Sequence, residues 1–170
     1  MGIALDQFWR SNHYEHPPLT DEMVAEAQRQ LGVKLPAEYL ALLRVQNGGY
    51  TYGFGFPMSR PTAWAEDHVP LHDLFGIVTD PDHRTAQNIL DTAYMTQEWG
   101  LPPRQVLLTG DGHWWITLDL PGRRRAVGRV AVCRSRPGLP GGSVVCDVPG
   151  RVAAGLGICQ RRRRRTRRCT

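Results

Sequence analysis

The chain has 170 residues and a formal net charge of +5, but that charge is divided: residues 1–120 hold 7 Lys+Arg against 15 Asp+Glu, a net of −8, and residues 121–170 hold 14 against 1, a net of +13. All 5 Trp, 5 Tyr and 4 Phe lie in the first part and all 4 Cys in the second. The average charge is therefore no ground for reading residues 1–120 as nucleic-acid binding, no apolar run approaches the roughly 18 residues of a membrane span, and the opening MGIALDQFWR lacks the apolar core of a secretory signal.

Residues 1–120 are long enough to bury one core, and a cytoplasmic location is the expectation. Phe8 and Trp9 among polar neighbours suggest a short helix that lays two aromatics on the domain. After Pro17-Pro18, Thr20 is a suitable N-cap, because its hydroxyl can accept from a free backbone N–H. Asp21 and Glu22 place negative charge at the positive end of the helix dipole. Met23, Ala27 and Leu31 form one apolar stripe, and Gly32 suits a left-handed C-terminal stop. A second helix begins at Pro36. It carries Tyr39, Leu40, Leu42 and Leu43 on a buried face and halts at Asn47-Gly48-Gly49.

Residues 50–68 are rich in aromatics, Gly and Pro and read as an irregular ribbon. A strand is expected within 71–78 and a turn over 80–84. A third helix is expected over 85–99, with Ile89 and Ala93 on one stripe and Leu90 and Tyr94 beside it. Gly100 and Pro102-Pro103 end that helix. Residues 105–109 read as a strand, Gly110-Asp111-Gly112 as a hairpin turn, and 113–120 as an alternating strand. In that strand Trp114, Ile116, Leu118 and Leu120 face the core, while His113, Trp115, Thr117 and Asp119 face solvent. Helices early and strands late give an α+β domain with a mixed or antiparallel sheet flanked by helices. Beyond Leu120 the pattern dissolves into an irregular Arg/Gly/Pro-rich tail. Short strands are expected there over 127–132 and 144–148, and RRRRRTRR at 161–168 reads as a disordered arm.

Three strings together resemble the SMI1/KNR4 family (SUKH superfamily) over about residues 5–120. They are Leu31-Gly32-Val33-Lys34-Leu35-Pro36-Ala37-Glu38-Tyr39 running to Asn47-Gly48-Gly49, then Leu74-Phe75-Gly76-Ile77, then Gly110-Asp111-Gly112-His113-Trp114-Trp115. The resemblance implies a compact, non-enzymatic α+β module. It implies the role of a bacterial immunity protein that neutralises a cognate toxin, often a nuclease, or else, as for fungal members, a regulatory scaffold in cell-wall glucan synthesis. Members continue past this point with a further strand and a closing helix, which residues 121–170 do not display. A shift of reading frame after Leu120 is the simplest account of the change in composition. Residues 1–120 are then the domain and 121–170 a disordered or frame-shifted tail, leaving an unpaired sheet edge.

The sequence offers no catalytic constellation. Neither H-E-x-x-H nor G-x-S-x-G occurs. His113 and Asp119, six residues apart on one strand, stand about 20 Å apart and cannot share a ligand. Asn47-Gly48-Gly49 lacks the rest of a P-loop and reads as a helix stop. Asp80, Asp82 and His83 read as a solvated turn, and the spacing of Cys133, Cys146 and Cys159 is not that of a zinc site. No metal, cofactor or small-molecule substrate is expected. Many of the aromatics over 50–64 are expected to cap the core. The remainder, rimmed by acids, suits a basic protein partner. The expected contact residues are Tyr50, Tyr52, Trp64, Glu66, Asp67, Asp111, His113 and Trp115. Nucleic acid is a partner only through the arginine tail, whose guanidiniums would grip phosphates without sequence preference.

Overall fold

A computed structural model describes residues 7–58, 61, 65–83, 87–101, 103–111, 114–119, 129–135, 144–147 and 159–160, the last three stretches at the level of the backbone. Two antiparallel sheets and three helices are built from them, which is an α+β architecture.

The first strand among the described residues is β1 (Trp9–Ser11), where the sequence suggested a short helix; residues 1–6 lie outside the described residues. Phe8 and Trp9 are buried, and the Trp9 indole donates to the Leu42 carbonyl at 3.0 Å. Helix α1 (Asp21–Leu31) starts at Thr20, whose hydroxyl accepts from Met23 N, and stops at Gly32 with φ 66°. Its buried face is Val24 and Ala27, with Met23 and Leu31 packed at the margin. Helix α2 (Ala37–Val45) follows Pro36 and buries Tyr39, Leu42 and Leu43.

Residues 49–57 form strand β2 (Gly49–Pro57), which pairs antiparallel with β3 (His68–Leu74). The expected ribbon is thus largely a hairpin. Its period is concealed by a shift of register between Tyr50 and Phe54, with Gly53 at φ 56°. A bulge of this kind breaks the alternation by which a strand is recognised in sequence. Residues 75–78 lie beyond β3. A 3-10 turn (Ile89–Asp91) precedes helix α3 (Thr92–Trp99), so the third helix begins later than expected. Asn88 is the cause: its side-chain oxygen accepts from Leu90 N and Val78 N, and its amide donates to the Val78 carbonyl. This holds the chain against 76–78 until Thr92. Ala93 and Tyr94 are exposed, not part of a buried stripe. Gly100 closes the helix at φ 61°.

The second sheet runs β4 (Gln105–Gly110), β5 (Trp114–Asp119), β6 (Arg129–Ser135) and β7 (Val144–Asp147), in that order. Strand β6 pairs with β5 along its length, so β5 has no open edge. The expected strands after Leu120 are present, and no helix follows α3 among the described residues. Strand β8 (Cys159–Gln160) returns to the first sheet and pairs with β2 at Phe54 and Gly55.

Two of the three strings that carry the family resemblance meet in space. Asn47 is 3% exposed. Its side-chain oxygen accepts from Ile77 N at 2.8 Å, and its amide donates to the carbonyls of Ile77 at 2.7 Å and Pro17 at 2.8 Å. The Tyr39 hydroxyl donates to the Phe75 carbonyl at 2.6 Å. At Gly48 (φ 90°) a Cβ would stand 2.7 Å from Gly76 N, and one at Gly76 would overlap the Asn47 carbonyl. The Asn-Gly-Gly and Leu-Phe-Gly-Ile strings thus serve to lock α2 onto the segment after β3. Within the turn itself Gly48 N donates to the Gln46 carbonyl at 2.9 Å, so that N–H is turned back on the chain, in keeping with the helix-stop reading.

Candidate protein-binding surface

Strand pairing sets Tyr50 opposite Asp73, so their side chains neighbour one another across β2 and β3. Tyr50 is 38% exposed. Beyond β1, the chain brings two more rings to it: His13 at 5.3 Å between centroids and Tyr14 at 5.6 Å. His13 and Tyr14 also touch, at 5.8 Å, and His16 extends the row from Tyr14 at 5.5 Å. The Tyr14 hydroxyl donates to Asp73 Oδ2 at 2.8 Å, and the buried Thr109 hydroxyl donates to Asp73 Oδ1. Burial, reinforced by the charge of Asp73, pushes the Tyr14 phenol far above the ordinary tyrosine range, so it remains a donor.

The result is a half-buried carboxylate held by two hydroxyls and fringed by three rings. The ion pairs among the described residues join Glu26 to Arg29, Asp21 to Arg44, and Asp67 to His68; none of them involves Asp73. A carboxylate with lone pairs to spare beside aromatic faces suits a cation, and a guanidinium above all, because its plane stacks on rings while its fork meets the two oxygens. Tyr52, 55% exposed, continues the exposed face of β2. Asp111 follows β4 two residues after Thr109 and is exposed; its side chain accepts from Trp114 N at 3.3 Å.

The other expected contact residues are dispersed. Glu66 and Asp67 sit at the far end of the β2–β3 hairpin, near Pro57 and His68 and seven positions along β2 from Tyr50, which is about 23 Å at strand spacing. Glu66 is exposed, while Asp67 Oδ1 lies 2.7 Å from His68 Nδ1. Trp64 and His113 lie outside the described residues. Trp115, expected to face solvent, is 2% exposed. Strand β5 is covered on both faces: Thr117 is buried as well, and the Trp115 ring fills the space above Gly110, its cross-strand partner, with the Trp99 ring 6.3 Å away. Alternation alone could not reveal this, since a polar Thr on the second face reads as solvated. His13, Tyr14 and Asp73 escaped the sequence reading because they join Tyr50 only through pairing across the chain.

Asp80 Oδ1 accepts from Asp82 N at 2.9 Å, as a turn-forming aspartate does. Among the described residues no group of three His, Cys, Asp or Glu is placed to hold a metal ion, and no helix is long and apolar enough to cross a membrane.

Neither the curated proteins nor the solved structures include a match to this chain. A family model described as SMI1 / KNR4 family (SUKH-1) matches residues 18–142. The match begins after β1, takes in all three recognised strings and runs past Leu120 through β6. At family level it carries an immunity-protein-like, protein-binding role, generally without enzymatic activity. The chain belongs to the SMI1/KNR4 family (SUKH-1).

Proposed function

We propose that this protein is an immunity-type binding module that neutralises a cationic, nuclease-type toxin by covering its phosphate-binding site. The observation that carries the reading is the exposed ring-and-carboxylate face of Tyr50, His13, Tyr14 and Asp73, on a part of the chain with a net charge of −8 over residues 1–120. A nuclease must present cations to phosphates. A surface of opposite sign speeds the encounter, and buried aromatic anchors then hold the complex. Tyr52 lies two residues along β2 from Tyr50, and Asp111 follows Thr109, which donates to Asp73, by two residues. The remaining expected contacts, Trp64, Glu66, Asp67 and His113, are proposed as outlying ones.

The test is protection in cells. The protein is co-expressed with each toxin-like product encoded beside its gene, and growth is scored. The expected result is rescue from one such product and loss of rescue with Tyr50→Ala, a substitution at an exposed side chain. Rescue that is undiminished in Tyr50→Ala combined with Asp73→Asn, or no rescue from any neighbouring product, overturns the proposal.

A further inference from the structure

We propose that the arginine run at 161–168 docks in cis on the Tyr50–Asp73 face and competes there with the external partner. The inference rests on the reading that this face is the docking surface. Residues 161–168 themselves lie outside the described residues; the argument comes from where the chain is delivered to them and from what they would meet.

Strand β8 is antiparallel to β2, with Gly55 opposite Cys159 and Phe54 opposite Gln160. The direction of β8 is therefore toward Gly53 and Tyr52, the end of β2 that carries the exposed tyrosines. The edge of β2 is free only as far as Gly53, because the amide of Tyr52 already donates to the Phe8 carbonyl at 3.0 Å and β1 pairs at Thr51 and Tyr50. The free edge of β2 therefore ends next to Tyr52, and the proposed path of the arm departs there. From Gly53 to Tyr50 is three residues, about 10 Å of strand, whereas eight extended residues reach roughly 27 Å.

The chemistry on both sides agrees. The run holds seven arginines and no acid. The face offers Asp73 with two hydroxyl donors and no ion pair among the described residues, the rings of Tyr50, His13 and Tyr14, and the exposed Glu15 next to Tyr14 in the chain. Guanidinium both stacks on such rings and forks onto a carboxylate, which ammonium does not. A tethered ligand acts at an effective concentration near the millimolar range, so a modest intrinsic affinity is enough to occupy the face and to weaken an external ligand in proportion.

The test uses the full-length chain and fluorescein-labelled octa-arginine as the external probe, with anisotropy read at 0.15 M salt. In the arm variant all seven arginines of 161–168 become serine. The expected result is binding at least tenfold tighter to the arm variant than to the unaltered chain. Introducing Tyr50→Ala abolishes that gain, as does Asp73→Asn, and octa-lysine binds the arm variant several-fold more weakly than octa-arginine. Far-UV circular dichroism confirms that each variant is folded; Tyr50→Ala, at an exposed site, keeps the test open should Asp73→Asn unfold. Equal binding by the two chains overturns the proposal. So does a gain that survives Tyr50→Ala, which would reduce the effect to net charge. No toxin enters this assay, so its failure leaves the immunity reading standing, and failure of cellular rescue leaves the arm standing.

Discussion

Replacing Asn47 should separate a structural lock from a ligand site. Its side chain makes three hydrogen bonds to backbone, two to Ile77 and one to Pro17, at a position 3% exposed. A buried backbone group left without its partner costs about 1–3 kcal/mol. The three bonds share one residue, so their losses overlap, and Asn47→Ala should cost about 3–5 kcal/mol. That is a large part of the ~5–15 kcal/mol that holds a domain folded. With a urea slope of about 2 kcal/mol per molar, the midpoint should fall by ~2 M. Asn47→Asp is the sharper variant. It keeps the acceptor for Ile77 N but sets a carboxylate against two carbonyl oxygens, so it should be less stable than the alanine variant at pH 7. Its folded-state pKa is raised, so the folded state binds the proton more tightly; the deficit should therefore shrink as pH falls toward ~4 and grow as pH rises. A loss under ~1 kcal/mol for Asn47→Ala, with the aspartate variant no worse, would refute the lock and reopen the Asn-Gly-Gly turn as a site.

Gly110→Ala should cost about 1–3 kcal/mol through overpacking, because the new methyl overlaps the Trp115 ring; near-ultraviolet circular dichroism and a thermal melt would register the displaced indole. Burial depresses the His16 pKa below 6.5, with the charge of His83 adding to it and the Asn47 carbonyl opposing it. The unfolded chain then takes up the proton first as pH falls below ~6.5, so stability is full above that value and declines beneath it; urea midpoints between pH 7.5 and 5.5 should show the decline, and His16→Gln should flatten it. Peptide mapping of the protein from its host separates the two accounts of the tail: arm docking requires peptides from 161–170, whereas the frame-shift account requires peptides from another reading frame after Leu120, and finding those would remove the arm.

What could be read in the sequence was governed by range. Thr20, Gly32 and Gly100 act within one helical turn, and each does so as its residue type dictates. The family strings were legible because the lock needs specific residues: an amide at Asn47 to bond both groups of Ile77, and no Cβ at Gly48 and Gly76. The bulge in β2 hid a strand, and the tethering of Asn88 to Val78 delayed a helix, since both depend on a neighbour distant in the chain. The same limit applied to the candidate surface. Tyr50 was visible as an aromatic among acids, yet Tyr14 reaches Asp73 across 59 positions, and only pairing of β1, β2 and β3 unites them. Trp115 misled because a strand buried on both faces can still alternate apolar with polar.

The central claim is that the Tyr50–Asp73 face binds a cationic protein. Its most direct test is the dissociation constant between the purified protein and whichever neighbouring toxin-like product it protects cells from, measured by calorimetry for the unaltered chain and for Tyr50→Ala with Asp73→Asn. The account predicts at least 30-fold weaker binding for the variant, about 2 kcal/mol, as expected of anchors at the centre of an interface, and weakening of the unaltered complex with salt. Equal affinity in both chains would contradict it and place the interface elsewhere on the molecule.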